Sequence, residues 1–555
     1  MRKLSIYFLC GFWLCISCKN ETAPAEPEAH SETADTFVWE AANLYFLLTD
    51  RFHNGNPAND LNFSRDAETG VLRGFEGGDL AGITQKIEEG YFTDLGINAI
   101  WFTPVVEQIH GAVDEGTGNT YAYHGYWAKD WTALDPNFGT YEELKTLIKT
   151  AHAKGIRIVM DVVLNHTGPV TEDDPFWGES WAIQQPQCTY QGYETTVPCT
   201  LVANLPDIKT ASTEEVELPD FLVEKWKKEG RYDTEIQELE NYFTTNNLPR
   251  TPRNYLIKWL TDYVRELGID AFRVDTVKHV DESSWADLRT QADLAFADWK
   301  QNNPNEILDD NAFFMLGEVY GYGIGGGRDY NFGDKTVDYF ANGFDNLINF
   351  QFKYDAKGDY ETMFKAYDSI LHNSLEGKSI LNYSTSHDDG DPFDKDRSKA
   401  YETGTKLLLT PGLAQVYYGD EIARPLIIEG AQGDANLRGN MPWSLLDSTE
   451  TKQVLTHWQK LGCFRRDHPA VGAGRHEMLQ QDPYVFSRSF KKDELEDMVI
   501  IGLDLPKGEK SIPVAKLFAE GSTLKDTYSN TEVNVQNGMV KLNTPETIVL
   551  LEKTK

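Results

Sequence analysis

A chain of 555 residues with a formal net charge of −35 presents a poor surface to nucleic acid or anionic lipid, both of which need cationic partners. Its 40% hydrophobic and 12% aromatic content is that of a globular protein with a large core, long enough for one barrel-type domain with appendages. The acidity says little about a neutral ligand, which would meet no long-range repulsion.

The chain opens with Arg2 and Lys3 and then an apolar run from Leu4 to Ile16, too short to span a bilayer, which is the pattern of an export signal. Ser17 directly before Cys18 resembles a bacterial lipoprotein cleavage site. That makes 1–17 the signal peptide and Cys18 the lipidated first residue, although Cys15 stands where such sites usually carry Leu. A soluble secreted protein cut nearby is the alternative. Residues 18–36 are rich in Ala, Glu, Pro and Thr without an apolar period and read as a disordered tether, so a membrane is a partner only through the anchor. The expected location is therefore the periplasm, the outer membrane or the cell surface. Export permits Cys188 and Cys199 to pair, a bridge worth about 3 kcal/mol on the loop-entropy account, while Cys463 reads as a small core residue.

From residue 37, apolar runs alternate with helical patterns. ANLYFLLTD, INAIWFTP, IRIVMDVVLNH, IDAFRVD, AFFMLGEV, FDNLINFQF, SILNYSTSHD and LAQVYYGDE make eight strand candidates. Between the second and third, Thr140 and Glu143 form a capping box, Leu144, Leu147, Ile148 and Ala151 a stripe, and Gly155 a stop. Thr251, Pro252 and Gly268 bound another helix in the same way. The pattern predicts an α/β fold: a (β/α)8 TIM barrel over 37–475 with an inserted subdomain at about 167–250 after strand 3. A C-terminal antiparallel β-sandwich follows over 476–555.

In such a barrel the active residues belong at the C-terminal strand ends. The polar residues are there: Asp161, Asn165 and His166, then Arg273 and Asp275, then Glu318, then His387 and Asp388. Strand alternation puts Arg273 and Asp275 on one face. One such pair reads equally well as a structural ion pair; four apolar runs that finish in carboxylate or imidazole do not.

These stretches resemble the α-amylase family of retaining glycoside hydrolases. DVVLNH, GIDAFRVDTVKHV, LGEV and STSHDD are similar to its four main signature regions in order. EQIHG, YAYHGYWAKDW and LPDIKT are most similar to the bacterial periplasmic α-amylases. The chemistry needs one carboxylate as nucleophile and one carboxylic acid. Asp275 beside Arg273 suits the first role, and Glu318, desolvated behind FFMLG, the second. By resemblance, Asp388 with His387 grips sugar hydroxyls and stabilises the transition state. Tyr126 is expected to stack on the sugar with His124 and Trp127 close by, and His166 to donate to it. Lys278 and His279 are expected to meet the leaving-group side.

The resemblance also implies calcium. Asn54, Asn56, Asn59, Asp60, the Gly77 carbonyl and Asp79 offer a cage of hard oxygens, for which an ordinary turn is the alternative. A second site would use Asn165, Asp207 and His279. The expected activity is that of an endo-acting α-amylase on starch or maltodextrin, as a monomer. A transglycosylase or exo-acting α-glucosidase of the family, or a non-catalytic sugar-binding protein, are the alternatives.

Overall fold

The computed structural model describes residues 37–554; the expected signal peptide, Cys18 and the expected tether lie outside them. Each apolar run forms a strand, and each strand is buried along its whole length, as parallel strands covered on both faces must be. In chain order the barrel strands are β1 (Asn43–Leu47), β2 (Ala99–Phe102), β3 (Arg157–Val162), β4 (Ala271–Val274), β5 (Phe314–Gly317), β6 (Asn346–Asn349), β7 (Ser379–Tyr383) and β8 (Leu413–Tyr417). Each pairs in parallel with its sequence neighbours, and β8 closes on β1 through the register Asn43↔Ala414.

The outer helices follow the caps. Thr140 and Glu143 make the capping box of α1 (Tyr141–Ala153), whose Leu144, Leu147, Ile148 and Ala151 are buried. Thr251 accepts from Asn254 N at the start of α2 (Pro252–Leu267), and Gly268 ends it in the left-handed conformation, delivering the chain into β4. No long helix joins β5 to β6 among the described residues; that connection holds short 3-10 turns and a small ribbon of Tyr330–Asn331 with Thr336–Val337, and leaves an open loop beside the strand ends.

The insertion after β3 carries two helices, Asp220–Glu229 and Tyr232–Asn246, and a two-stranded ribbon of Ala182–Ile183 with Asp207–Ile208. The Cys188–Cys199 disulfide is formed there, with Cα atoms 5.0 Å apart. A second excursion, not expected from the sequence, pairs Val106–Gln108 with Ala128–Leu134 across two register shifts. Cys463 is half-buried, not a core residue: its Sγ donates to the Asp94 carbonyl at 3.4 Å.

The C-terminal strands form a six-stranded sheet and a two-stranded one. Val485, Ile500, Val549 and Leu551 face the smaller sheet with Ile512, Val540 and Leu542. Their alternates Phe486, Val499, Ile501 and Leu550 belong to the barrel's own core. Two fully buried arginines reinforce this seam. Arg465 donates to the carbonyls of Leu408 (3.1 Å) and Thr410 (2.9 Å), and Arg488, on the sheet, to that of Leu409 (3.3 Å). Both sit at the carbonyl end of the helix Ala400–Leu409, where the helix dipole favours cations.

Candidate active site

The strand ends converge on Arg273, which is 0% exposed. Its Nη1 lies 2.9 Å from Asp161 Oδ1 and 2.7 Å from Asp275 Oδ1, and its Nη2 2.9 Å from Glu318 Oε1. Three carboxyl groups from β3, β4 and β5 thus share one guanidinium, the partner that buried charge requires. The backbone fixes their heights: Asp275 N donates to Val162 O and Glu318 N to Val274 O, each at 2.9 Å. Thr276 adopts a left-handed φ of +48°, strained for a β-branched residue, and so aims its N–H at Glu318 Oε2, 3.1 Å away.

Burial, reinforced by the charges of Asp275 and Asp388, raises the Glu318 pKa well above the ordinary carboxylate value despite Arg273. Asp161 rises to about 7 for the same first reason, with the Asp275 charge adding. It also accepts from Trp101 Nε1 (2.9 Å) and the Tyr126 hydroxyl (2.8 Å). Asp388 moves the other way. It keeps part of its side chain exposed; the desolvation of the rest would raise its pKa, but His387, Arg438 and Arg273 hold it well below the usual range.

The chain turns at Gly125, whose φ is +88° and whose Cβ, if present, would stand 2.2 Å from the Pro104 carbonyl, and the rings on either side, His124 and Tyr126, stack with centroids 5.8 Å apart. Beyond this turn Tyr126 faces Asp161 and stacks on His387, with ring centroids 5.4 Å apart. Trp127 does not face the site; it is buried with Ile109, Ala122 and Leu205. His124 is also buried, and its Nδ1 accepts from Tyr126 N at 3.1 Å. His166 is spent inside the protein, with Nε2 against the Tyr126 carbonyl (3.0 Å) and Nδ1 against the Asn165 amide (3.2 Å). Lys278 reaches the cleft edge and donates to Tyr320 O at 3.0 Å. The His279 ring instead turns to the insertion, 3.1 Å from the Thr196 carbonyl inside the disulfide loop.

Near Glu318, the loop after β5 and the segments after β6 and β7 enclose a cleft of about 620 Å³ lined by Tyr320, Tyr330, Gln351, Lys353, Tyr354 and Asp389. Tyr320 and Tyr354 are each 51% exposed. Sequence reasoning missed this cleft, and it missed Arg438. Arg438 is buried in the loop after β8, and its Nη2 donates to Asp388 Oδ1. Nothing periodic marks it: GDANLRGNMPW has neither strand nor helix pattern.

Two clusters bear on calcium. The terminal amide atom of Asn165 lies 3.1 Å from both Asp207 Oδ1 and the His279 carbonyl oxygen. The His166 Nε2 faces a carbonyl and must carry hydrogen, so in the neutral ring, which burial favours, Nδ1 accepts the Asn165 NH2. That orientation points three oxygens at one another, an arrangement a hard cation relieves. Burial pushes Asp207 up to about 9. In the other cluster the Oδ1 atoms of Asn54 and Asn59 are buried without partners, and Asp60 Oδ1 lies 2.9 Å from Asn54 Nδ2. A Cβ on Gly77 would fall within 2.8 Å of both Asn54 and Asp60. Asp79, however, gives its carboxylate to the amides of Gly55, Asn56 and Gly82, and Asn56 gives its side-chain oxygen to Ala58. These two shape the loop.

Residues 46–468 match the family described as "Alpha amylase, catalytic domain". The periplasmic alpha-amylase of Escherichia coli (strain K12) is 36% identical over 534 residues, covering 84% of this chain and 73% of that one. A cyclomaltodextrin glucanotransferase of Geobacillus stearothermophilus is 30% identical over 83% of this chain, which spans only 61% of that relative's length. Among solved structures, an alpha-amylase from Geobacillus thermoleovorans complexed with acarbose superposes with a TM-score of 0.63 at 21% identity. That match covers 94% of this chain and 99% of the other, and it shows the shared fold.

Proposed function

The chain belongs to the α-amylase family of glycoside hydrolases, and from that premise we propose an endo-acting α-amylase that hydrolyses α-1,4-glucosidic bonds in starch and maltodextrins with retention. The observation that carries this is the sharing of Arg273 between Asp275 and a Glu318 that holds its proton. One guanidinium spanning both carboxyl groups favours the short separation, about 5–5.5 Å, of retaining enzymes. The Asp275 carboxylate attacks the anomeric carbon while Glu318 gives its proton to the glycosidic oxygen, and the leaving chain departs with a new hydroxyl. Glu318, now a carboxylate, takes a proton from water as that water attacks the anomeric carbon and frees Asp275. The negative charge passes from the Nη1 side of Arg273 to its Nη2 side and back, so the guanidinium is never without an anion. Asp388 meets the sugar hydroxyls, and Tyr126 supplies an aromatic face.

Calcium fits the oxygens of Asn165, Asp207 and His279, and a second set of Asn54, Asn59, Asp60 and Gly77. When bound, it cross-links loops and leaves the bond-breaking groups to the protein. An exported lipoprotein anchored by Cys18 is the location we favour, in keeping with the name of the E. coli relative.

Transglycosylation is the second reading, favoured by the cleft near Glu318, where a sugar hydroxyl would compete with water at the glycosyl-enzyme. Products from soluble starch decide. Early loss of iodine staining ahead of reducing ends supports endo-hydrolysis, whereas cyclic or lengthened products support transfer. Asp275→Ala should lower turnover at least about a thousandfold while the protein still binds maltodextrin. Near-normal activity of the folded variant would refute the assignment.

A further inference from the structure

Asp388 is the outermost of the carboxylates, with 37% of its side chain exposed, and its backbone N–H finds only the Ser386 hydroxyl at 3.4 Å. Its side chain is placed by two groups. His387 Nε2 lies 2.9 Å from Oδ2, and Arg438 donates to Oδ1. Arg438 also donates through Nε to the His387 carbonyl at 3.1 Å, so it grips both residues of the pair. Its Nη1 lies 2.8 Å from Asp434 Oδ2, and Asp434 Oδ1 lies 2.7 Å from Arg73 Nη2. Arg73 is itself buried, donates to the Gln432 carbonyl at 3.1 Å and, through its own carbonyl, receives Tyr121 N at 2.9 Å.

Resting on the reading of Asp388 given above, we propose that Arg438 is its positioning residue, and that Arg73, acting through Asp434, positions Arg438 in turn. Charges alternate along the row Arg73, Asp434, Arg438, Asp388, which runs from the loop after β1 through the loop after β8 to the site. A guanidinium suits the middle place because its fork bonds a carboxylate, a carbonyl and a second carboxylate at once, whereas an ammonium offers a single point. Were Arg438 only an anchor for the loop 426–440, its loss would lower stability and leave the chemistry untouched.

Arg438→Ala, Arg438→Lys and Asp434→Asn are to be compared on a maltooligosaccharide, with melting temperature measured alongside. Misplacing a group by about 1 Å costs roughly a hundredfold in rate, so kcat of Arg438→Ala should fall by about that factor, more than KM changes. Arg438→Lys should retain an intermediate rate, and added guanidinium ion should restore part of the kcat of Arg438→Ala. Asp434→Asn should lose less, and adding Arg73→Met to Arg438→Ala should lose nothing further. A folded Arg438→Ala with kcat within twofold of wild type overturns the proposal, as does a loss that neither Lys nor guanidinium repairs. Asp388→Asn separates the two readings. If it is inactive while Arg438→Ala is active, only the positioning role fails; if it is fully active, the role given to Asp388 itself fails.

Discussion

Replacing His468 by Gln should cost the protein stability only on the acid side of pH 9. His468 follows the helix Thr449–Asp467 and is clamped between two carboxylates of the C-terminal sheet, Asp497 at 2.9 Å from Nδ1 and Glu552 at 2.8 Å from Nε2. Burial alone would lower its pKa, but the hydrogen bonds and charges of the two carboxylates push it up to about 9. A group raised from 6.5 stabilises the fold fully below pH 6.5, and that contribution is lost as pH rises through about 9. At about 1.4 kcal/mol for each pH unit, the clamp is worth ~3 kcal/mol, a ceiling because solvent reaches Glu552. Unfolding entropies near 2 cal/mol/K per residue give a chain of this length ~1 kcal/mol/K, so the melting temperature should drop by ~3 °C at pH 6. Scanning calorimetry of both proteins from pH 6 to 10.5 checks this: the difference should shrink to nothing by the upper end. A difference that stays constant across the series, or none at pH 6, would refute the clamp.

Glu318→Gln should abolish the basic limb of the pH–rate profile, because the acid must be protonated and activity falls as pH rises through its raised pKa; substrates with activated leaving groups should be spared more than starch, and an equal loss on both counts against the role. Chelation should lower the melting temperature while leaving turnover well below it largely unchanged, since metal bound only by the native state stabilises with the logarithm of its free concentration; an unmoved melting temperature in metal-free protein would reduce Asn54, Asp60 and their neighbours to a turn. Cys18→Ala should release the enzyme from membranes to the soluble fraction, and equal release of wild type would dismiss the anchor.

The barrel strands were legible because each is an apolar run entered from a capped helix, and a charge at the end of such a run must meet either a buried partner or a ligand. Asp275, Glu318 and Asp388 were singled out for that reason. Trp127 packs edge-on against His124 and joins the Ile109, Ala122 and Leu205 cluster while Tyr126 faces Asp161, a division that adjacency in YHGYW does not announce. The His279 side chain was assigned to the leaving-group end, yet a carbonyl about 80 residues earlier claims it, a contact no spacing announces. Arg438 stayed hidden for the same physical reason: its partner lies 50 residues away and its own loop has no period. The pairing of Val106–Gln108 with Ala128–Leu134 escaped notice because its register slips twice, which erases the alternation that marks a strand.

The seam between barrel and C-terminal sheet bears on how this protein could be cut or recombined. A boundary near residue 475 is a change of topology, but Arg488 reaches back across it to the Leu409 carbonyl, just before the short link 410–412 that leads into β8. Truncation there would uncover Phe364 and its neighbours, which pack on Phe486, and would leave Arg465 to cap the helix end alone. The last strand of the barrel would then have to close without the scaffold that holds its approach. Grafting a different module onto this barrel therefore requires transplanting the inner face of the sheet with it, so the exchangeable unit begins at the outer sheet, with Ile512 and Val540, and not at the linker.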